Sequence, residues 1–268
     1  MPILRFIDPA GEVRWGRPVE KGAALPLCGD LFGEFSFADQ PVRVVRRLPP
    51  VSPPNIWAIG RNYREHAREM KAEETASEPL LFLKATTSVI GPDDLIRLPL
   101  SAPDEVDYEG ELAVVIGRRL RHVSVADALE GVLGYTCAND VSARDCQKRR
   151  DKQWARGKSF DSFCPLGPLL VLRDELPTLD VTLRTLLNGQ VMQQARTREM
   201  IFPVPELVSY LSRQFTLLPG TVILTGTPAG VGSARQPPVY LRPGDEITVE
   251  IEGIGRLSNR VGAETPVA

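Results

Sequence analysis

Four prolines in eight residues, LPPVSPPN at 48–55, set the first limit on what this chain can fold into. Proline has no backbone N–H and a fixed φ, so neither a helix nor a central strand runs through the stretch, which reads as a stiff connector. Before it, ILRFID, VRWGRPVE and VRVVRRL are short strand-like runs parted by turns such as AGE. We therefore expect a small β-rich N-terminal domain over 1–52 and a larger domain over 53–268.

In the larger part, IWAIG at 56–60, GYTCAND at 134–140 and TVILTG at 221–226 read as strands, and EITVEIEGIGRLSNRVG at 246–262 as a closing hairpin. LLFLK at 80–84 and EGELAVVIG at 109–117 are expected as buried strands of a core sheet, the second being apolar almost continuously after its first residues. PVPELVSYLSRQF at 203–215 reads as a helix with proline in its first turn. Capping boxes at Ser124/Asp127 and Ser142/Asp145 predict two more helices, VADALEGVL and ARDCQKRRDKQW. Residues 61–78 are polar and helix-favouring with little apolar surface, which makes 64–78 a candidate mobile lid. Strands outnumber helices and do not alternate with them, so the expected class is α+β, mostly β, and not a doubly wound sheet.

The 268 residues are 43% hydrophobic, enough for a substantial core. Cys28, Cys137, Cys146 and Cys164 show neither CxxC pairing nor zinc spacing, which suggests a reducing compartment. No basic-then-apolar leader opens the chain, and no apolar run approaches the ~20 residues of a membrane span, so we expect a cytoplasmic protein without a membrane partner. A formal charge of -2 gives no footprint for nucleic acid, and the basic run at 144–158 reads as a solvated face.

Chemistry is suggested first by Glu109 and Glu111. Two residues apart on a strand, they share a face about 7 Å apart along the backbone. Buried together they repel, unless one is protonated or a cation intervenes. Asp140, at the end of the GYTCAND strand, can supply a third carboxylate. Three oxygen ligands without histidine or thiolate suit Mg²⁺ or Mn²⁺, with Ca²⁺ also admissible. The bland alternative is a solvated sheet end, and Asp107, where the strand begins, is expected to be solvated. His66 stands three residues before Glu69 on a helix face, a pair able to activate water, or else an exposed histidine among charges. His122 reads as a surface residue. Gly226, Gly230 and Gly232 read as a tight turn after a strand, since Pro228 and the spacing disfavour a phosphate cradle.

Together, GRNYREHAREM at 60–70, FLK at 82–84, VDYEGELAVVIG at 106–117, NDVSARDCQ at 139–147, GKSFD at 157–161 and LTGTPAGVG at 224–232 resemble the fumarylacetoacetate hydrolase family over roughly 55–262. The resemblance implies that family's mixed β-sandwich roll, a homodimer, and a metal on Glu109, Glu111 and Asp140. It implies catalytic roles for His66, Glu69 and Lys158, the lysine facing the substrate oxyanion. Arg61, Tyr63, Lys84, Arg144, Gln147 and Thr227 fall on its substrate-facing positions. The first 50 residues look like the small N-terminal domain of members that act as hydroxyheptadienedioate isomerases or related hydrolases. The activity implied is carbon–carbon cleavage of a small 2-oxo acid, by acylpyruvate hydrolysis or oxaloacetate-type decarboxylation, with release of pyruvate. Its alternative is 2-hydroxyhepta-2,4-diene-1,7-dioate isomerisation in aromatic catabolism. A non-catalytic, metal-dependent carboxylate-binding protein is the reading from another class.

Overall fold

A computed structural model of the chain describes residues 2–20, 22–71, 77–176 and 178–265. Its N-terminal strands are β1 Pro2–Ile7, β2 Val13–Val19, β3 Ala23–Gly29, β4 Phe35–Phe37, β5 Val42–Arg43 and β6 Arg46–Leu48. Next come β7 Ile56–Gly60, α1 Arg64–Glu69, β8 Leu80–Lys84, β9 Val89–Ile90, β10 Ile96–Leu98, β11 Val106–Asp107 and β12 Gly110–Ile116. The middle of the chain holds β13 Val132–Asn139, β14 Ser142–Ala143, α2 Ala155–Lys158, β15 Cys164–Leu172, β16 Thr182–Leu187 and β17 Gln190–Arg196. It closes with α3 Val204–Gln214, β18 Val222–Leu224 and the hairpin β19 Glu246–Ile251 and β20 Gly255–Ala263. The protein is therefore α+β and mostly β.

A 13-stranded sheet runs β4-β3-β2-β1-β15-β13-β12-β18-β7-β8, with β5, β6 and β9 pairing off this path. A 5-stranded sheet, β10-β20-β19-β16-β17, packs against it, and β11 pairs with β14 alone. The strand β12 is buried along its whole length, as its apolar run requires. Leu112, Val114 and Ile116 meet Leu183, Val249, Ile251 and Leu257 of the second sheet. Ala113 and Val115, on the opposite face, meet Ile3, Leu31 and Val51. The N-terminal segment thus supplies side chains to this back core while its strands extend the large sheet, β1 being hydrogen-bonded to β15 with Ile3 opposite Leu170. Each such aliphatic side chain contributes about 1.5–3 kcal/mol on burial.

The helix α3 forms as its pattern requires: Val204, Leu207, Val208 and Leu211 are buried at the i, i+3, i+4, i+7 spacing of one apolar face. Three other expectations are corrected. LLFLK forms β8 at the edge of the sheet, with Leu80 and Leu83 exposed. Ser124 and Asp127 do bond, Oγ to Oδ2 at 2.6 Å, but they precede only a 3₁₀ turn at Ala128–Gly131, because the chain enters β13 at Val132. The helix expected after Ser142 is broken: Ser142 lies in β14, Cys146–Arg150 form a π turn, and α2 is a separate turn. On one continuous α-helix Arg144 and Lys158 would lie about 21 Å apart, yet both bind Glu109. The break lets them meet. Of the candidate lid, α1 is formed and buries His66 and Ala67, while 72–76 lie outside the described residues. No helix among the described residues is long and apolar enough to cross a membrane.

Candidate active site

The antiparallel register of β12 and β13 sets Gly110 opposite Asn139 and Glu111 opposite Ala138. The start of one strand therefore lies beside the end of the other, and the Asp140 N–H donates to the Glu109 carbonyl at 2.8 Å. Glu109, Glu111 and Asp140 are all buried and offer oxygens within 4.8 Å of one another.

Two of these carboxylates are matched by buried cations. Lys158 Nζ donates to Glu109 Oε2 at 2.7 Å and Asp140 Oδ2 at 2.6 Å, and the Arg144 guanidinium lies 2.7 Å from Glu109 Oε1. Lys84 Nζ donates to Asp140 Oδ1 at 2.6 Å and to the carbonyls of Val141 and Lys158. Among the described residues Glu111 accepts only the Gly226 N–H, at 2.6 Å. Burial, then Asp140 and Glu109, pushes its carboxyl well above the usual carboxylate range. Burial also pushes Glu109 up, but Lys158 and Arg144 outweigh it and hold that carboxyl below its ordinary value. With Glu111 ionised, as a bound cation would keep it, Asp107, Glu109, Glu111 and Asp140 outnumber Lys84, Arg144 and Lys158 by one charge. An all-oxygen set one cation short is the environment that a hard divalent ion such as Mg²⁺ or Mn²⁺ fits.

Asp107, expected to be solvated, is fully buried. Its Oδ2 accepts Arg144 Nε at 2.8 Å and Ser233 N at 2.9 Å, and its Oδ1 accepts Gly232 N at 2.8 Å and Tyr108 N at 2.9 Å. The turn after β18 has a role that its glycines alone did not reveal. Its backbone N–H groups hold the protein's own carboxylates: Gly226 holds Glu111, Gly230 holds Glu69 at 2.9 Å, and Gly232 holds Asp107. Gly226 has φ 99°, and a Cβ there would lie 2.7 Å from Asn62 Cβ, so a side chain is excluded. Gln193, unremarked in the sequence, is buried and ties the same turn to β12, accepting from Gly110 N and donating to Thr227 Oγ1 and the Pro228 carbonyl.

Beside the carboxylates lies a cavity of about 300 Å³. Seven of the sequence-derived candidates reach it: Arg61, His66, Glu109, Arg144, Gln147, Lys158 and Thr227. Arg144 donates to Gln147 Oε1 at 2.9 Å, and its second terminal nitrogen is buried without a partner among the described residues. His66 Nδ1 lies 3.1 Å from Glu69 Oε2, so Glu69 acts from behind the histidine. Thr227 arrives with its hydroxyl proton already given to the Gly110 carbonyl at 2.9 Å. Lys84 and Asp140 stand behind the lining, joined to each other. Tyr63 lies in the main core, its hydroxyl buried without a partner among the described residues. The sequence had not singled out Phe82, Trp154 and Lys148, which also line the cavity.

The basic run does not form a uniform charged face. Arg144 and Lys158 turn inward, while Arg149, Arg150 and Arg156 pair with Glu105, Asp145 and Asp151. His122 is exposed.

Residues 55–262 match the family model described as fumarylacetoacetate (FAA) hydrolase, C-terminal. The mitochondrial oxaloacetate tautomerase of Bos taurus is 47% identical over 219 residues, covering 80% of this chain and 68% of the relative. The crystal structure of the 2-hydroxyhepta-2,4-diene-1,7-dioate isomerase of Mycobacterium marinum superposes with a TM-score of 0.85 at 40% identity, covering 99% of this chain and 100% of that one. A fumarylacetoacetate hydrolase of Exiguobacterium antarcticum gives a TM-score of 0.85 at 39% identity, with 98% and 100% covered.

Proposed function

Because this chain belongs to the fumarylacetoacetate hydrolase family, whose relatives include tautomerases, isomerases and hydrolases, we propose that it is a metal-dependent keto–enol tautomerase of small 2-oxo acids such as oxaloacetate. The observation that carries this reading is the convergence of Glu109, Glu111 and Asp140 beside the Lys158 ammonium at the cavity. A divalent ion held there by the three carboxylates would act as a Lewis acid toward the substrate's carboxylate and 2-oxo oxygen.

The chain's own groups do the rest. Lys84 holds Asp140 in place from behind, and Asp107 holds Arg144, whose unpaired nitrogen is a donor for the substrate carboxylate. Glu69 accepts the Nδ1 proton of His66, which leaves Nε2 with the lone pair. We assign to Nε2 the proton at C3. As that C–H bond breaks, its electron pair forms the C2–C3 double bond and the carbonyl π pair moves onto the C2 oxygen near Lys158; a proton from water completes the enol, and His66 returns the one it took to water. The reverse sequence returns the keto form.

A second reading, hydrolysis at the bond beyond C3 with pyruvate as product, is favoured by the same dyad. His66 and Glu69 could equally take a proton from water, and one structural neighbour is named as a hydrolase. One assay separates the readings. Protein stripped with chelator is mixed with oxaloacetate or acetylpyruvate, with and without Mg²⁺ or Mn²⁺, while enol absorbance and pyruvate are followed together. Metal-restored approach to keto–enol equilibrium without pyruvate, absent in Glu109→Gln, supports the tautomerase. Stoichiometric pyruvate would move cleavage to the front, and no change in either signal would leave a carboxylate-binding protein.

A further inference from the structure

Two cations on the rim of the cavity stand apart from all the others around it. Lys84, Arg144 and Lys158 are each matched to a buried carboxylate. Among the described residues Lys148 Nζ has only the Ser233 hydroxyl, at 3.3 Å, and the Arg61 guanidinium lies over the Trp154 ring, 5.5 Å from its centroid. Neither forms an ion pair among the described residues, although Arg149 and Arg150, next in sequence to Lys148, both do.

Both positions are fixed by the fold. Arg61 has φ 57°, a left-handed conformation that a non-glycine residue adopts at a cost. It is held there by its neighbour Asn62, whose Nδ2 donates to the carbonyls of Phe202 and Thr225 and whose Oδ1 accepts Phe202 N. Lys148 sits in the π turn Cys146–Arg150, the local widening that brings this face of the segment to the cavity. Burial, then Arg144, pushes the Lys148 ammonium below its ordinary value, and an arriving anion would relieve that repulsion.

We propose that Lys148 and Arg61 bind the distal carboxylate of the substrate and so select 2-oxo dicarboxylic acids over 2-oxo acids with a neutral far end. This rests on the tautomerase reading above for the placement of the first carboxylate. Charge balance supports it. A divalent ion on Glu109, Glu111 and Asp140 would leave the inner groups one positive charge in excess, enough for the first carboxylate, so Lys148 and Arg61 are left for a second. Ile59, Phe82 and Trp154, which also line the cavity, offer apolar walls to the connecting carbons. A volume of about 300 Å³, the share of roughly ten water molecules, suits a short dioic acid.

The test compares oxaloacetate with its 4-methyl ester, which keeps the 2-oxo acid and neutralises the far end. Both are measured as substrates in Mg²⁺, and as ligands by calorimetry in the same buffer, with wild type, Lys148→Met, Arg61→Met and the double variant. An exposed charge pair is worth up to about 1 kcal/mol, so each substitution should lower the diacid-to-ester preference about fivefold and the pair roughly 25-fold, through KM. Added salt should weaken the diacid more than the ester. Turnover of both compounds with the preference unchanged in all variants would overturn the clamp. If wild type turned over neither, the tautomerase reading would fail and calorimetry would still decide this one. A diacid preference in Kd that the variants lose sustains the clamp, and an equal Kd for acid and ester in wild type refutes it.

Discussion

Replacing Asp107 by asparagine asks how deeply this carboxylate is embedded. In wild type each of its oxygens accepts two donors: Oδ2 takes Arg144 Nε and Ser233 N, and Oδ1 takes Gly232 N and Tyr108 N. Asparagine preserves the shape but makes one of those positions an NH₂. In either orientation two donors then face a donor, and the guanidinium loses one of its two balancing carboxylates. Breaking a buried pair costs about 3–5 kcal/mol, and a buried N–H left unmet about 1–3 kcal/mol. Arg144 keeps Glu109 at 2.7 Å, which argues for a total near the low end, about 4 kcal/mol. At about 2–4 °C per kcal/mol the melting temperature should fall by roughly 8–16 °C. Scanning calorimetry of chelator-treated wild type and Asp107→Asn measures this directly. A solvated Asp107, as the sequence suggests, would cost at most about 1 kcal/mol. A fall of less than about 4 °C would therefore refute the buried network.

Glu111→Gln should change stability in opposite directions with and without metal. In chelator it removes a carboxylate that burial and its neighbours Asp140 and Glu109 disfavour, so the melting temperature should rise. At 100 times Kd, Mg²⁺ or Mn²⁺ should add about 2.7 kcal/mol, or roughly 5–11 °C, to wild type and nothing to the variant; a full metal response in the variant would show that the ion binds elsewhere. Of the four free cysteines only Cys28 is exposed, and burial pushes Cys164 up to about 12. A thiol reagent at neutral pH should thus titrate one group per folded chain and four after denaturation, and two or more in the folded state would contradict the packing. The hydrogen bond from Arg14 holds the Asp8 carboxyl below its ordinary value, helped by the Ala10 and Glu12 N–H groups. A depressed carboxyl contributes stability above its unfolded pKa of about 3.9 and loses it as the pH falls through the folded value. Asp8→Asn should therefore destabilise the protein at neutral pH, with the difference closing in acid; a gap that stays constant down to pH about 2 would exclude this linkage.

The sequence by itself determined those features that depend on short-range pattern. A strand's two-residue period placed Glu109 and Glu111 on one face, and the apolar run after them required β12 to be covered on both sides. The i, i+3, i+4, i+7 spacing of Val204, Leu207, Val208 and Leu211 defined α3, and His66 and Glu69 meet because they lie three apart on one helix. The order of motifs was enough to indicate the family. What depends on distance along the chain was decided by the tertiary structure. Local capping signals favoured a helix over 143–154, but Ser142 and Ala143 pair in β14 and Cys146–Arg150 close as a π turn, so Arg144 and, from α2 beyond the expected helix, Lys158 both reach one carboxylate. Asp107 looks like a solvated strand end until Gly232 and Ser233, 125 and 126 residues further on, bring their N–H groups to it. Lys148 belongs to a basic run that resembles an ordinary charged surface, and Lys84 to a strand that resembles core. Only the packing of β7, β8, β12 and the turn after β18 around one cavity separates the cations that are neutralised there from those left for a substrate. Hydrophobic periodicity is a local property of the chain, whereas the pairing of buried charges is settled by which distant segments the closed sheets bring together.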